Sequence, residues 1–286
     1  MKQINILSGK GGTGKTTITA SLAVLADNPI LADCDVDASN LHLLLKPVKR
    51  ETQEFKGLKM AVIDPEKCIQ CGRCMEVCRF NAIKDYKVDP VHCEGCKTCV
   101  ICCPVQAINF EERICGHAYI SDTKYGPMSH ARLTPGMENS GKLVTLVRKN
   151  ATKLAEDTGR ELVLVDGPPG IGCPVIASLS NIDASIVVVE PTLSGMHDLK
   201  RVIELLKKFD IRALVCVNKY DLNQDNAKSI EKYCTTNDIG FLGMIPFDPK
   251  VTESMVHATP IVEYAPDSPA SIAIKKIWTQ FNTIYG

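Results

Sequence analysis

The stretch LSGKGGTGKTT, residues 7–17, decides how the chain is read. Gly9 to Thr16 fits the pattern G-x-x-x-x-G-K-[ST]. It follows a short apolar run (Ile4, Ile6, Leu7) and precedes apolar residues at helical spacing (Ile18, Leu22, Leu25). Strand, glycine-rich turn and helix are the context in which this pattern cradles phosphates. Backbone N–H groups from Gly9 through Gly11, Gly12, Thr13 and Gly14 to Thr17 can curl around phosphate oxygens. Lys15 can reach the β- and γ-phosphates, and Thr16 can ligate Mg²⁺. The helix N-terminus adds positive potential. A phosphate loop needs one lysine, and this one carries a second, Lys10.

A Mg²⁺ site needs a further acidic anchor at the end of an apolar strand. LVLVDGPPG, with Asp166 at the strand end, supplies it, and the Gly-Pro-Pro-Gly that follows makes a stiff turn suited to sensing a γ-phosphate. Upstream, LADCDVDASNL places Asp33, Asp35 and Asp37 after a second apolar run. In extended chain all three point to one side. From the residues alone, any one of them could face the attacking water or the metal.

Composition narrows the remaining possibilities. The 286 residues suit one large α/β domain with or without a small insert. Basic and acidic residues balance at 33 each, so charge gives no argument for a nucleic-acid partner. No apolar run is long enough to span a bilayer, and the N-terminus reads as a strand rather than a signal peptide. A cytoplasmic protein with no nucleic-acid or membrane partner is expected. Of fourteen cysteines, nine lie from Cys68 to Cys103. A disulfide framework suits small secreted domains, so metal or cluster ligation is the better reading.

The spacing in that zone is specific. Cys68-x₂-Cys71-x₂-Cys74-x₃-Cys78 recurs 25 residues later as Cys93-x₂-Cys96-x₂-Cys99-x₃-Cys103-Pro104. This is the spacing of a two-cluster bacterial ferredoxin, in which the fourth cysteine of each run serves the other cluster. Cys68, Cys71, Cys74 and Cys103 are therefore expected to hold one [4Fe–4S] cluster, and Cys93, Cys96, Cys99 and Cys78 the other. Tetrahedral zinc is the alternative, and it rarely uses such a duplicated triple spacing. Arg79 stands where proline usually follows the fourth cysteine. A positive charge there would raise the potential of the cluster held by Cys78. Cys102 is an additional thiol with no assigned role.

Around this zone the chain alternates strands and helices. Strands are expected at 2–7, 29–33, 58–63, 161–166, 184–190, 212–218 and 241–245, and helices at 15–26, 142–156, 173–179, 195–209, 226–236 and 269–284. That alternation predicts a mostly parallel sheet covered on both faces. Residues 116–140 resist assignment. The expected organisation is a discontinuous P-loop domain at 1–63 and 112–286, with a small α+β ferredoxin-like insert at 64–111.

Taken together, KGGTGKTT, the D-C-D loop and the D-G-P-P-G turn resemble the deviant Walker A branch of P-loop ATPases, the group of MinD, ParA and the nitrogenase iron protein. The resemblance covers the chain apart from the insert. It implies that Lys10 reaches across an ATP-bound dimer to the partner's phosphates, that Asp35 handles the attacking water, and that Thr16 and Asp166 hold Mg²⁺. It aligns Asn218 of VNKYD with an adenine-facing asparagine, although N-K-x-D taken alone suggests guanine. It also aligns IPFDP, with Pro246 and Asp248, with a loop against the base and ribose. The cysteines outside the spaced runs read mostly as buried small hydrophobes. Cys173 falls where the nitrogenase iron protein has a ligand of an inter-subunit cluster, but the second ligand such a cluster needs has no clear match, Cys115 being the nearest.

The chain as a whole looks like MinD-type ATPases with an inserted ferredoxin domain, a similarity that includes the segment YISDTKYGPMSHARL. The implied function is an ATP-hydrolysing dimeric switch coupled to electron transfer. It would form a homodimer, or a heterodimer with a paralogue, and dock a redox protein. Its cofactors would be ATP, Mg²⁺ and two [4Fe–4S] clusters. The alternatives are an iron–sulfur or metallocofactor assembly ATPase and a MinD/ParA-like positioning ATPase. Assembly ATPases of this kind usually carry a C-x-x-C in the C-terminal half, and none follows Cys103 here.

Overall fold

The computed structural model describes residues 1–137 and 140–285. The chain divides into two compact units. The first comprises Met1–Thr52, Ala118–Arg132 and Ser140–Gly286, and the second Gln53–His117 and Leu133–Asn139. The insert expected at 64–111 lies inside the wider bounds of the second unit.

In chain order the elements begin with β1 (Lys2–Ser8), α1 (Lys15–Leu25), β2 (Ile30–Asp33), α2 (Leu41–Leu45) and β3 (Val48–Ile63). The cysteine-rich zone follows, with α3 (Arg73–Glu76), β4 (Ile83–Lys84), β5 (Lys87–Val88) and α4 (Thr98–Cys102). Then come β6 (Ile108–Thr123), β7 (Gly126–Leu133), α5 (Ser140–Thr158), β8 (Leu162–Pro169), α6 (Cys173–Ser178) and β9 (Ala184–Val189). The chain closes with α7 (Leu193–Lys208), β10 (Arg212–Asn218), α8 (Gln224–Thr236), β11 (Gly240–Ile245), α9 (Pro249–Val256), α10 (Ile261–Tyr264) and α11 (Pro269–Tyr285).

One nine-stranded sheet runs in the order β11-β10-β9-β1-β8-β2-β7-β6-β3. The pairs from β11 across to β7 are parallel. Strands covered on both faces need continuous apolar runs, and these have them. Ile4, Ile6 and Leu7 of β1, residues 163–165 of β8 and Ile186 to Val189 of β9 are all buried. Helices α1, α2, α10 and α11 pack one face, where Leu22, Leu44, Ile261, Ile274 and Phe281 join the strand residues in one core. Parallel strands bring their carboxyl ends to one edge, which is where such sheets bind ligands. Gly9, Asp33 and Asn218 sit at or just beyond that edge, while Asp166 lies within β8, which continues to Pro169 through the Gly-Pro-Pro expected to turn.

Two stretches differ from expectation. The strand expected at 58–63 starts at Val48, as the edge strand of the sheet. Residues 48–54 are exposed throughout, so no alternation of polarity marks them. The unassigned region 116–140 holds the end of β6 and all of β7. These neighbours are joined by Lys124 and Tyr125 alone, a connection only antiparallel strands allow.

The second unit has its own small core. Ala61, Cys74, Ile83, Cys99 and Ile108 are buried together, with Cys78 and Cys103 packed against them.

Candidate functional site

The glycine-rich loop leaves β1 and enters α1 through Gly14, whose φ of 94° belongs to the left-handed region glycine favours. A Cβ at Gly14 would also run into the Asn218 amide. That amide donates to the Thr13 carbonyl at 2.8 Å, tying the end of β10 to the loop. Lys15 is 5% exposed and lines the adjoining cavity.

Asp166 is fully buried on β8. Thr16 Oγ1 donates to its Oδ2 at 2.7 Å, and Thr19 Oγ1 donates to its Oδ1 at 3.0 Å. Burial pushes the Asp166 carboxyl up to about 6, against the opposing pull of Thr16, Lys15 and Thr19. Sequence reasoning missed Thr19. Its only signal was position, since a residue three after Thr16 falls on the same face of α1.

The three upstream aspartates separate. β2 ends at Asp33, and the chain then turns, with the Ala38 N–H donating to the Asp35 carbonyl at 3.2 Å. The extended geometry that would align all three does not continue. Asp33 is fully buried and paired in register with Asp166. Its carboxylate accepts from Ser39 Oγ at 2.6 Å and from the Asp35 N–H at 3.1 Å. Burial first, and then the charge of Asp166, push the Asp33 carboxyl up to about 8. Asp35 and Asp37 line the cavity instead. Burial raises the Asp35 carboxyl and Lys15 opposes that rise.

The cavity has a volume of about 720 Å³. Gly11, Gly12, Lys15 and Thr16 line its phosphate end, and Asn218, Pro246 and Phe247 line the other. Asp248 also lines it, but both of its oxygens are engaged. One caps α9 by accepting from Lys250 N at 2.9 Å, and the other accepts from Ala270 N at the start of α11 at 3.2 Å. Lys10 pairs with Glu190 at 3.3 Å, and Lys219 pairs with the same carboxylate at 2.8 Å. Sequence reasoning gave Glu190 no role. The chemistry open to this edge is that of a phosphate cradle with one buried lysine, a hydroxyl–carboxylate pair fit for a divalent cation, and a half-buried acid facing the cavity.

In the second unit the sequence duplication is a backbone duplication. Left-handed residues recur 25 apart at Gln70 and Gly95, Gly72 and Lys97, and Asn81 and Gln106, with φ of 55° and 64°, 81° and 65°, and 51° and 51°. Cys68 N–H donates to the Asp64 carbonyl and Cys93 N–H to that of Asp89, each at 3.0 Å. Ala82 N–H donates to Cys78 Sγ at 3.3 Å, and Ala107 N–H to Cys103 Sγ at 3.2 Å.

Cys68, Cys71, Cys74 and Cys103 line one small cavity, and Cys78, Cys93, Cys96 and Cys99 line another. All eight are free thiols. Among the described residues no three His, Cys, Asp or Glu side chains converge to hold one metal ion. Four thiols around a cavity, with backbone N–H groups directed at sulfur, suit a cubane, whose cysteines each grip a different iron.

The other cysteines fall out simply. Cys34, Cys115, Cys216 and Cys234 are buried, while Cys173 is exposed at the start of α6. Cys115 is fully buried, in keeping with a small hydrophobe, and a thiol so placed presents nothing to a neighbouring subunit.

Residues 4–261 match the family model for the CobQ/CobB/MinD/ParA nucleotide-binding domain. The chain belongs to that family. The family's MinD/ParA ATPases hydrolyse ATP, and the chain is a MinD/ParA-like ATPase. It is 37% identical over 227 residues to uncharacterised protein MJ0578 of Methanocaldococcus jannaschii, covering 78% of this chain and 80% of that one. It is 25% identical over 298 residues to the iron-sulfur cluster carrier protein of Pyrococcus abyssi, covering 96% and 83%. In fold it is similar to the septum site-determining protein MinD of Pyrococcus horikoshii complexed with Mg-ADP. That match has a TM-score of 0.61 and 20% identity over 100% of this chain and 97% of that chain. Among the described residues of this MinD/ParA-like ATPase, no helix is long and apolar enough to cross a membrane.

Proposed function

We propose that the chain is an ATP-dependent dimeric switch whose nucleotide cycle is coupled to electron transfer with a protein partner. The observation that carries the reading is the division of eight cysteines into two quartets, each drawing its fourth thiol from the other half of the duplication. These quartets would hold two [4Fe–4S] clusters, which supply one-electron chemistry when bound. The same chain carries the phosphate cavity.

In this reading Lys15 binds the β- and γ-phosphates of ATP. Thr16 and Asp166 hold Mg²⁺, exchanging their mutual hydrogen bond for the metal. Asp35, half-buried and facing the cavity, orients the attacking water. Lys10 leaves Glu190 and reaches the phosphates of a second subunit, which makes nucleotide binding and dimer closure one event. Asn218, tied to the loop, faces the adenine side of the cavity. The second subunit is another copy or a paralogue.

Assembly of iron–sulfur clusters for other proteins is the second reading, favoured by the similarity to an iron-sulfur cluster carrier. The missing C-x-x-C after Cys103 counts against it. The experiment is anaerobic purification, iron analysis and an EPR redox titration with and without MgATP. Two retained clusters, about eight irons per chain, with a potential or lineshape that MgATP shifts, support the switch. Iron that passes to an apo-acceptor supports assembly. Retained clusters blind to MgATP would sink the coupling.

A further inference from the structure

The N-K-x-D motif at Asn218 to Asp221 poses a problem that the site leaves open. A guanine-reading site needs an acidic acceptor aimed at the N1–H and N2–H₂ of the base. Here each polar side chain of the motif is committed elsewhere. Asn218 Nδ2 donates to the Thr13 carbonyl at 2.8 Å, and its Oδ1 accepts from Lys219 N at 3.0 Å. Lys219 Nζ donates to Glu190 at 2.8 Å.

Asp221 sits in a tight turn, Tyr220–Leu222, just after β10. Its Oδ1 accepts from the backbone N–H of Phe247 at 2.7 Å. Asp221 does not line the cavity, whereas Ile245, Pro246 and Phe247 do. Asp248, the acid next to that wall, is spent on the N-termini of α9 and α11. Among the described residues, the carboxylate that lines this end of the cavity, Asp248, has both oxygens engaged by backbone N–H groups.

We propose that Asp221 is a positioning residue for the nucleobase. It holds the 246–248 wall in place through the Phe247 amide and does not itself read the base. Phe247, between β11 and the start of α9, is 49% exposed, while Asp248 beside it is buried. A charged acceptor on its central N–H fixes where the base can lie. With Asp248 engaged, the N1–H and N2–H₂ of a guanine against this wall have no free carboxylate acceptor, whereas adenine needs none there. The proposal rests on the reading that the cavity takes a nucleoside triphosphate.

The test is calorimetric binding of ATP, GTP and xanthosine triphosphate, each with Mg²⁺, to the wild type, Asp221→Ala and Asp221→Asn. The wild type binds ATP in preference to GTP. Asp221→Ala lowers ATP affinity about tenfold, the cost of one charge-assisted hydrogen bond at an exposed site, and narrows the ATP-to-GTP ratio. Asp221→Asn keeps an oxygen acceptor for Phe247 N–H and stays within a few-fold of wild type.

Two outcomes overturn the proposal. One is ATP binding and base preference unchanged in Asp221→Ala. The other is a wild type that prefers GTP, with Asp221→Asn switching to xanthosine triphosphate, since that switch marks the side chain as a direct reader of the base. A wild type that binds none of the three would overturn the nucleotide reading, and this proposal with it. Circular dichroism of both variants separates any loss of binding from loss of fold.

Discussion

Lys10 Nζ lies 3.3 Å from Glu190 Oε2, so the loop's second lysine is held by its own chain. Glu190 shares itself with Lys219, and both lysines keep its carboxyl below the usual range against a burial effect in the other direction. An ion pair this open to water contributes about 0–1 kcal/mol, small enough for a phosphate to displace. Glu190→Gln removes the competing charge. ATP-dependent dimerisation is then expected at a protein concentration several-fold lower than wild type, as read by sedimentation with MgATP. An unchanged or weakened dimer would show that Glu190 does not restrain Lys10.

Asp33 gives the nucleotide-free protein a pH dependence with a definite sign. Its carboxyl is raised from 3.8 to about 8 by burial and by Asp166. As pH rises, the unfolded chain releases this proton first and the folded chain keeps it, so stability falls across the window and is lost above about pH 8. Asp166, raised to about 6, acts in the same direction. Calorimetry should show Tm dropping from about pH 5 to about pH 8, with a flatter profile for Asp33→Asn. A Tm rising over this range would refute the assignment.

Asp248 closes two helices with one carboxylate. Loss of a capping side chain costs about 1 kcal/mol per helix end. Asp248→Ala is therefore expected to cost about 2 kcal/mol in urea unfolding, with Asp248→Asn recovering most of it. Equal losses in both variants would mean that the charge matters and the caps do not.

If ligation crosses between the halves, Cys103→Ala removes the cluster of Cys68, Cys71 and Cys74, and leaves that of Cys78, Cys93, Cys96 and Cys99. Iron should fall by about half, and one of two EPR signals should persist. Loss of the signal assigned by Cys93→Ala instead would mean that each run serves its own cluster.

The loop's placement was legible where the pattern has fixed spacing: Gly11, Gly12, Gly14, Lys15 and Thr16 line the cavity, and Thr16 bonds Asp166, as the motifs alone led one to expect. Thr19 and Glu190 were not legible, and the N-K-x-D pattern gave Asp221 without its partner, because each contact forms only after distant strands come together. Thr19 meets Asp166 across 147 residues, and Asp221 meets Phe247 across 26. Asp33 was read as an equal of Asp35 because strand alternation was extended past the point where β2 stops. In the fold, the buried parallel strands stood out as apolar runs. β3 did not, because an exposed edge strand carries charge on both faces, which protects it from pairing with other chains.

The doubled backbone of the second unit makes its two halves mutually dependent. Each half contributes three thiols to one quartet and one to the other. A polypeptide carrying a single half could complete neither quartet alone. Two such polypeptides, related by a two-fold axis, could complete both. The repeat of 25 residues thus carries within one chain the exchange that two separate halves would otherwise have to make, and the left-handed positions it shares are the main-chain part of that repetition.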